Sequence, residues 1–227
     1  MDYNYIFFDC ESNSGRSHAD ILTISALFVD KNFKLIEEFN CAARLRKSRI
    51  YEIDSFLVNG MDPFEVDKHP FSNFDLTKKT NDKFISWINK GPVLFCAHNG
   101  YQFDYMLTST HLFTNLFTWP WIFSTGNAKQ IDSLPILQNF DFYAPNTIAV
   151  ELNEKSNKTF KLGSLCRMNG FDLGDKAHTA EADTLGMSKL MELISKKNPE
   201  LFKKSISLND KKNVLSSIKD VDYFCHP

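Results

Sequence analysis

The run Tyr5-Ile6-Phe7-Phe8-Asp9-Cys10-Glu11 constrains the fold more than any other feature of this chain. Its aromatic and β-branched residues predict a strand buried on both faces, yet it ends in two carboxylates. Residues 21–29 and 33–41 predict two more strands, and Asp30-Lys31-Asn32 between them is a tight-turn signal, so the chain opens as an antiparallel meander. Polar, proline-containing sequence follows from Ser48 to Thr80. Thr80 then predicts the cap of a helix over 81–90, with Phe84, Trp87 and Ile88 on one face and Gly91 closing it. Residues 92–97 read as a buried strand leading to His98-Asn99-Gly100, and a helix is expected over 101–112. A strand is expected over 131–136, with Pro135 disturbing its end. Residues 153–158 read as a polar loop, 162–169 as a helix stopped by Gly170, and 178–196 as a long helix. Strands first, then alternating strand and helix, predict an α/β fold: a mixed β-sheet flanked by α-helices. No repeat or linker divides the chain, so residues 1–227 are expected to form a single domain.

The acidic residues are the anomaly. Strand side chains alternate faces, so Asp9 and Glu11 share one, with origins ~6.5–7 Å apart. Two carboxylates on a buried strand repel each other and cost desolvation energy unless a cation lies between them. Hard oxygen ligands favour magnesium or manganese. Alone, an Asp-x-Glu pair is common and weak. Asp183 is more specific: Met187, Leu190 and Ile194 lie four, seven and eleven residues beyond it, which places it on the buried stripe of its helix. Taken singly, it also suits a structural ion pair or a cap. Asp104 falls in the first turn of the helix after His98-Asn99-Gly100, where the helix dipole alone favours an acid. His178 stands five residues before Asp183, where its helix opens; a lone histidine there is commonly a capping or surface group. As an ordered set, Asp9, Glu11, Asp104, His178 and Asp183 all sit at strand ends or helix starts, where distant segments converge.

Composition excludes several classes. No apolar run approaches the roughly 18–20 residues that span a bilayer, and the five cysteines, with no Cys-x-x-Cys pair, suggest neither zinc nor a disulfide framework. Together with an N-terminus that lacks a secretory signal, this predicts a cytoplasmic protein without a membrane partner. Net charge is −2, so any nucleic-acid role rests on local charge and bound metal. Arg44, Arg46, Lys47 and Arg49 concentrate positive charge, read either as a solvated loop or as a phosphate contact.

The motifs Phe7-Phe8-Asp9-Cys10-Glu11-Ser12, His98-Asn99-Gly100-Tyr101-Gln102-Phe103-Asp104 and His178-Thr179-Ala180-Glu181-Ala182-Asp183 resemble the DEDD exonuclease superfamily in its histidine subclass. Within it, the chain is most similar to the nuclease domain of bacterial exodeoxyribonuclease I. The supporting segments are Val58-Asn59-Gly60-Met61-Asp62-Pro63, Trp119-Pro120-Trp121, Ile131-Asp132-Ser133-Leu134, Phe160-Lys161-Leu162-Gly163-Ser164-Leu165 and Pro199-Glu200-Leu201-Phe202. The resemblance covers about residues 3–215. Animal three-prime repair exonucleases share several of these features.

The resemblance implies a ribonuclease H-like fold and a metal-dependent 3′→5′ exonuclease that releases nucleoside 5′-monophosphates from single-stranded DNA. It implies two Mg²⁺ ions, with Mn²⁺ able to substitute, held by Asp9, Glu11, Asp104 and Asp183, and His178 as the general base. Ser12, Asn13, Met61, Asn99, Phe103, Trp119 and Trp121 are the candidate substrate contacts, the aromatic ones by stacking on unpaired bases; each also suits a place in the core. The longer exodeoxyribonuclease I carries C-terminal domains that close around the strand, so high processivity is not expected of these residues alone, unless this is a fragment or a partner chain completes that channel. No residue reports acceptance of a 2′-hydroxyl, so an oligoribonuclease-like RNA-trimming enzyme stands as the alternative, with DNA favoured. A proofreading subunit is a further reading. A catalytically inactive binding or scaffold domain would be signalled by loss of a carboxylate, and none is lost. Oligomeric state has no signature in the sequence.

Overall fold

The sheet is built outward from the first strand. In the computed structural model, which describes residues 2–16, 18–48, 51–117, 121–171 and 179–219, β1 (Asn4–Ser12) pairs antiparallel with β2 (Ile21–Val29), and β2 pairs antiparallel with β3 (Leu35–Ala42). This is the predicted meander. β3 starts two residues later than expected because the turn is wider. Asp30 Oδ1 accepts hydrogen bonds from the backbone N–H groups of Asn32 and Lys34, both at 2.8 Å. Phe33 adopts φ 63°, which lays its ring on Tyr5, centroids 4.9 Å apart. On the other side of β1 lies β4 (Val93–Ala97), parallel to it, and then β5 (Ala128–Asp132), parallel to β4. The sheet order is β3-β2-β1-β4-β5. β1 and β4 read as continuous apolar runs because helices cover both faces of the central sheet.

On one face, Ile6, Phe8 and Cys10 pack against α3 (Asn73–Ile88) and α4 (Asp104–Thr114) through Leu76, Phe84, Trp87, Tyr105 and Leu107. On the other, Tyr5 and Phe7 pack against α5 (Ser133–Tyr143), α6 (Leu162–Met168) and α7 (Ala180–Lys197). Asp9 and Glu11 continue that second face.

The polar, proline-containing stretch holds α1 (Ile53–Asn59), α2 (Pro63–Asp67) and the first two turns of α3. Ser72, not Thr80, caps α3: Asp75 N–H donates to Ser72 Oγ at 3.2 Å while Ser72 N–H donates to Asp75 Oδ2 at 2.8 Å. That capping box was readable as Ser72-x-x-Asp75. It is masked because Asn73, Thr77, Thr80 and Asn81 interrupt the apolar stripe although they are buried. The strand expected over 131–136 ends at Asp132, whose side chain caps α5; Pro135 lies in the first helical turn, where a missing N–H costs little. The helix expected from Tyr101 starts at Asp104. Residues 153–157 form the turn of a small hairpin between β6 (Glu151–Leu152) and β7 (Lys158–Thr159). Gly170, at φ 79°, follows α6 as expected. After α7 come α8 (Pro199–Ser207) and α9 (Lys211–Ile218), too short for periodicity to reveal. Among the described residues, no helix is long and apolar enough to cross a membrane.

Candidate active site

Two periodicities deliver three carboxylates to one place. Asp9 and Glu11 stand opposite Ser25 and Thr23 of β2, on the sheet face that α7 covers. α7 starts at the Thr179 cap, whose Oγ1 accepts from Ala182 N–H at 3.2 Å. Met187, Leu190 and Ile194 are fully buried against the sheet and set the helix rotation. Thr184 Oγ1 lies 3.1 Å from Ser25 Oγ and sets its height. Asp183 therefore faces the end of β1. One oxygen each of Asp9, Glu11 and Asp183 lies within 4.8 Å of the others. Ligands on a single octahedral Mg²⁺ lie roughly 3 Å apart when adjacent and roughly 4.2 Å apart when opposite, so side-chain rearrangement of an ångström or two brings this triad onto a shared ion.

Asp104 is the fourth acid. It is buried, and its Oδ1 accepts from the backbone N–H of Cys10, between Asp9 and Glu11, at 3.0 Å. Burial pushes Asp9 well above the usual carboxylate range, and the charges of Asp104, Glu11 and Asp183 add to it. Burial, then Asp183 and Asp104, raises Glu11 to about 8. Burial likewise raises Asp104 to about 7, against the opposing hydrogen bond from Cys10. Such elevation marks a site that disfavours its own negative charge, the condition a divalent cation relieves.

His178 and Trp119 lie outside the described residues. The other sequence candidates separate by environment. Ser12 and Asn13 are buried and engaged locally: Ser12 Oγ donates to the Ser14 carbonyl at 2.7 Å, and Asn13 Oδ1 accepts from Asp20 N–H at 2.8 Å. Met61 shares a cleft of about 430 Å³ with Thr23, Ser25, Thr179 and Glu181, on the carboxylate face. Asn99 is exposed at φ 58°. Phe103 is half-buried against the core. Trp121, 68% exposed, lines a separate apolar groove of about 540 Å³ with Tyr101, Met106 and Phe113. The basic run is partly committed: Arg46 pairs with the buried Asp20, and Arg44 Nη1 donates to the Pro70 carbonyl at 2.6 Å.

One group of polar residues escaped the sequence reading. Asp132 and Ser133, at the start of α5, hold the turn that leads to Asp104. The N–H groups of Asn99 and Tyr101 donate to Asp132 at 2.8 and 3.2 Å. His98 Nε2 lies 2.8 Å from the Phe160 carbonyl oxygen, which can only accept, so that nitrogen carries hydrogen. Burial lowers the His98 pKa, and its Nδ1 lies 2.9 Å from Ser133 Oγ. The available signal was an acid at a strand-to-helix junction.

No protein-family model matches the chain. Exodeoxyribonuclease I of Buchnera aphidicola subsp. Schizaphis graminum is 26% identical over 228 residues, covering 98% of this chain and 45% of that protein. E. coli exonuclease I in complex with a dA16 oligonucleotide superposes with a TM-score of 0.88 over 96% of this chain, at 18% identity. The chain is similar to exodeoxyribonuclease I over nearly its whole length. The zinc-bound form of the E. coli exonuclease I complex with single-stranded DNA matches with a TM-score of 0.85, at 18% identity, over 94% of this chain and 45% of that one. These likenesses establish the ribonuclease H-like fold of exonuclease I. The chain spans about half the length of the exodeoxyribonuclease I relatives it matches.

Proposed function

We propose that this chain is a metal-dependent 3′→5′ exonuclease that releases nucleoside 5′-monophosphates one at a time from single-stranded DNA, as a single exonuclease domain acting in the cytoplasm. The observation that carries the proposal is the approach of Asp9, Glu11 and Asp183 to within 4.8 Å of one another, with buried Asp104 beside them. The all-oxygen donor set suits Mg²⁺, with Mn²⁺ able to substitute. Two such ions, when bound, lower the pKa of a water and stabilise a leaving 3′ oxygen. Asp9, Glu11 and Asp183 would hold one, and Asp9 and Asp104 would contribute to the second.

The chain's own residues do the rest. His178 accepts the proton of the attacking water. The acidic pocket repels a phosphodiester until it is neutralised, which couples substrate binding to metal loading. Met61 and Thr179 border a cleft with Thr23 and Ser25, whose strand pairs with the one carrying Asp9 and Glu11, while Asn99 is exposed and Phe103 half-buried just before Asp104. These residues suit contact with the terminal nucleotide. Trp121, beyond them, suits stacking with an unpaired base. Preference for DNA over RNA draws on the oligonucleotide complexes of the E. coli relative.

The test offers 3′-hydroxyl single-stranded DNA, duplex DNA and RNA of equal length, with magnesium or chelator, and runs Asp183→Ala in parallel. Stepwise shortening of single-stranded DNA only with metal is expected. Shortening of RNA alone would move the assignment to an exoribonuclease. Digestion that survives Asp183→Ala would remove the site assignment.

A further inference from the structure

We infer that Asp132 is a positioning residue of this site: through the turn formed by residues 99–103 it sets where Asp104 stands against Asp9. The inference rests on the metal-dependent reading above. Asp132 is 5% exposed, and its carboxylate accepts three backbone hydrogen bonds from two elements: Asn99 N–H at 2.8 Å, Tyr101 N–H at 3.2 Å and Leu134 N–H at 2.9 Å. Capping α5 requires only the last of these. The other two hold the turn in which Asn99 adopts φ 58°, a left-handed conformation that asparagine tolerates better than most non-glycine residues.

From that turn the connection to Asp104 is continuous. Gly100 packs so closely on β4 that a Cβ there would lie 2.3 Å from Ala97 Cβ. The Gly100 carbonyl accepts from the N–H groups of Phe103 and Tyr105, both at 3.1 Å, which starts α4. The Tyr105 hydroxyl donates to the Ile131 carbonyl at 2.6 Å, one residue before Asp132. α4 has no side-chain cap of its own, since Phe103 occupies that position. Its first turn is therefore held from outside, by Asp132 and the adjoining Ser133–His98–Phe160 chain of hydrogen bonds. Asp104 is the first residue of that helix. Two segments that carried the family resemblance without a role, around Ile131-Asp132-Ser133-Leu134 and Phe160, meet in this clamp.

The test compares wild type, Asp132→Ser and Asp132→Asn by calorimetric Mn²⁺ binding, by the Mg²⁺ concentration for half-maximal shortening of single-stranded DNA, and by thermal unfolding in chelator. Serine retains a cap for Leu134 but cannot also reach Asn99 and Tyr101. Asparagine keeps one acceptor oxygen and turns an amide toward Tyr101 N–H. The expected result is folded variants, about tenfold weaker Mn²⁺ binding and about tenfold more Mg²⁺ for half-maximal rate, the scale typical of residues behind metal ligands. KM for the oligonucleotide at saturating metal should stay unchanged. Unchanged metal affinity in both variants, or unfolding of both far below wild type, would overturn the inference in favour of a purely structural cap. A wild type that binds Mn²⁺ but shortens nothing would end the exonuclease reading alone, and the binding comparison would still decide the role of Asp132.

Discussion

Asp104 Oδ1 accepts a hydrogen bond from the backbone N–H of Cys10 at 3.0 Å, joining the start of α4 to β1 across 94 residues of sequence. Cys10 sits between Asp9 and Glu11, so this bond brings the fourth acid to the other three. It also ties Asp104 to the fold and to the proposed chemistry at once.

Asp104→Asn separates the two roles. The amide oxygen still accepts from Cys10, while the charge is lost. The variant should fold with a Tm equal to or above wild type in chelator, and lose at least about a hundredfold in exonuclease rate with saturating Mg²⁺. An oligonucleotide-shortening assay beside a melting curve checks both. Full activity would exclude Asp104 from the site.

Stability without metal should fall with rising pH. The Glu11 carboxyl is raised to about 8 in the folded chain, chiefly by burial and then by Asp183, whereas an unfolded glutamate titrates near ~4.3. Between these values the folded state holds the extra proton, so unfolding becomes easier as pH climbs through that window. Melting in chelator at pH 5 and pH 8 should show the loss. Glu11→Gln should shrink it and raise Tm at pH 8 by at least ~2 °C, on a scale of roughly 2–4 °C per kcal/mol for a chain of this size. Excess Mg²⁺ should do the same for wild type. A Glu11→Gln protein with the wild-type pH slope would contradict the electrostatic account.

Gly100→Ala should be costly although it adds one methyl group. The new Cβ would meet Ala97 Cβ at 2.3 Å, so the turn or β4 must move. Overpacking of this kind costs about 1–3 kcal/mol. Because the same turn leads into Asp104, exonuclease rate should fall along with Tm. Denaturant unfolding with retained wild-type stability would show that the turn is looser than described.

The start of α3 offers a direct comparison of two capping candidates. Ser72→Ala removes the side-chain half of the capping box and should cost about 1 kcal/mol. Thr80→Val should be neutral or stabilising, because the Thr80 hydroxyl is buried mid-helix without a hydrogen-bond partner among the described residues. Urea unfolding of the two variants would expose the reverse order if the helix began at Thr80.

Local periodicity alone determined much of the site. Alternation along residues 5–11 put Asp9 and Glu11 on one face, and the 3.6-residue repeat through Met187, Leu190 and Ile194 aimed Asp183 at the core. The meander and both central apolar strands were readable for the same reason: each signal lies within a few residues. The tertiary structure decided what periodicity cannot express. It placed β4 beside β1, brought Asp104 to Cys10, and turned Asp132, expected inside a strand over 131–136, into a helix cap that clamps a distant turn. These outcomes depend on hydrogen bonds between residues far apart in the chain. Their partners are chosen by how the whole sheet packs, and no short stretch of sequence contains both ends of such a bond.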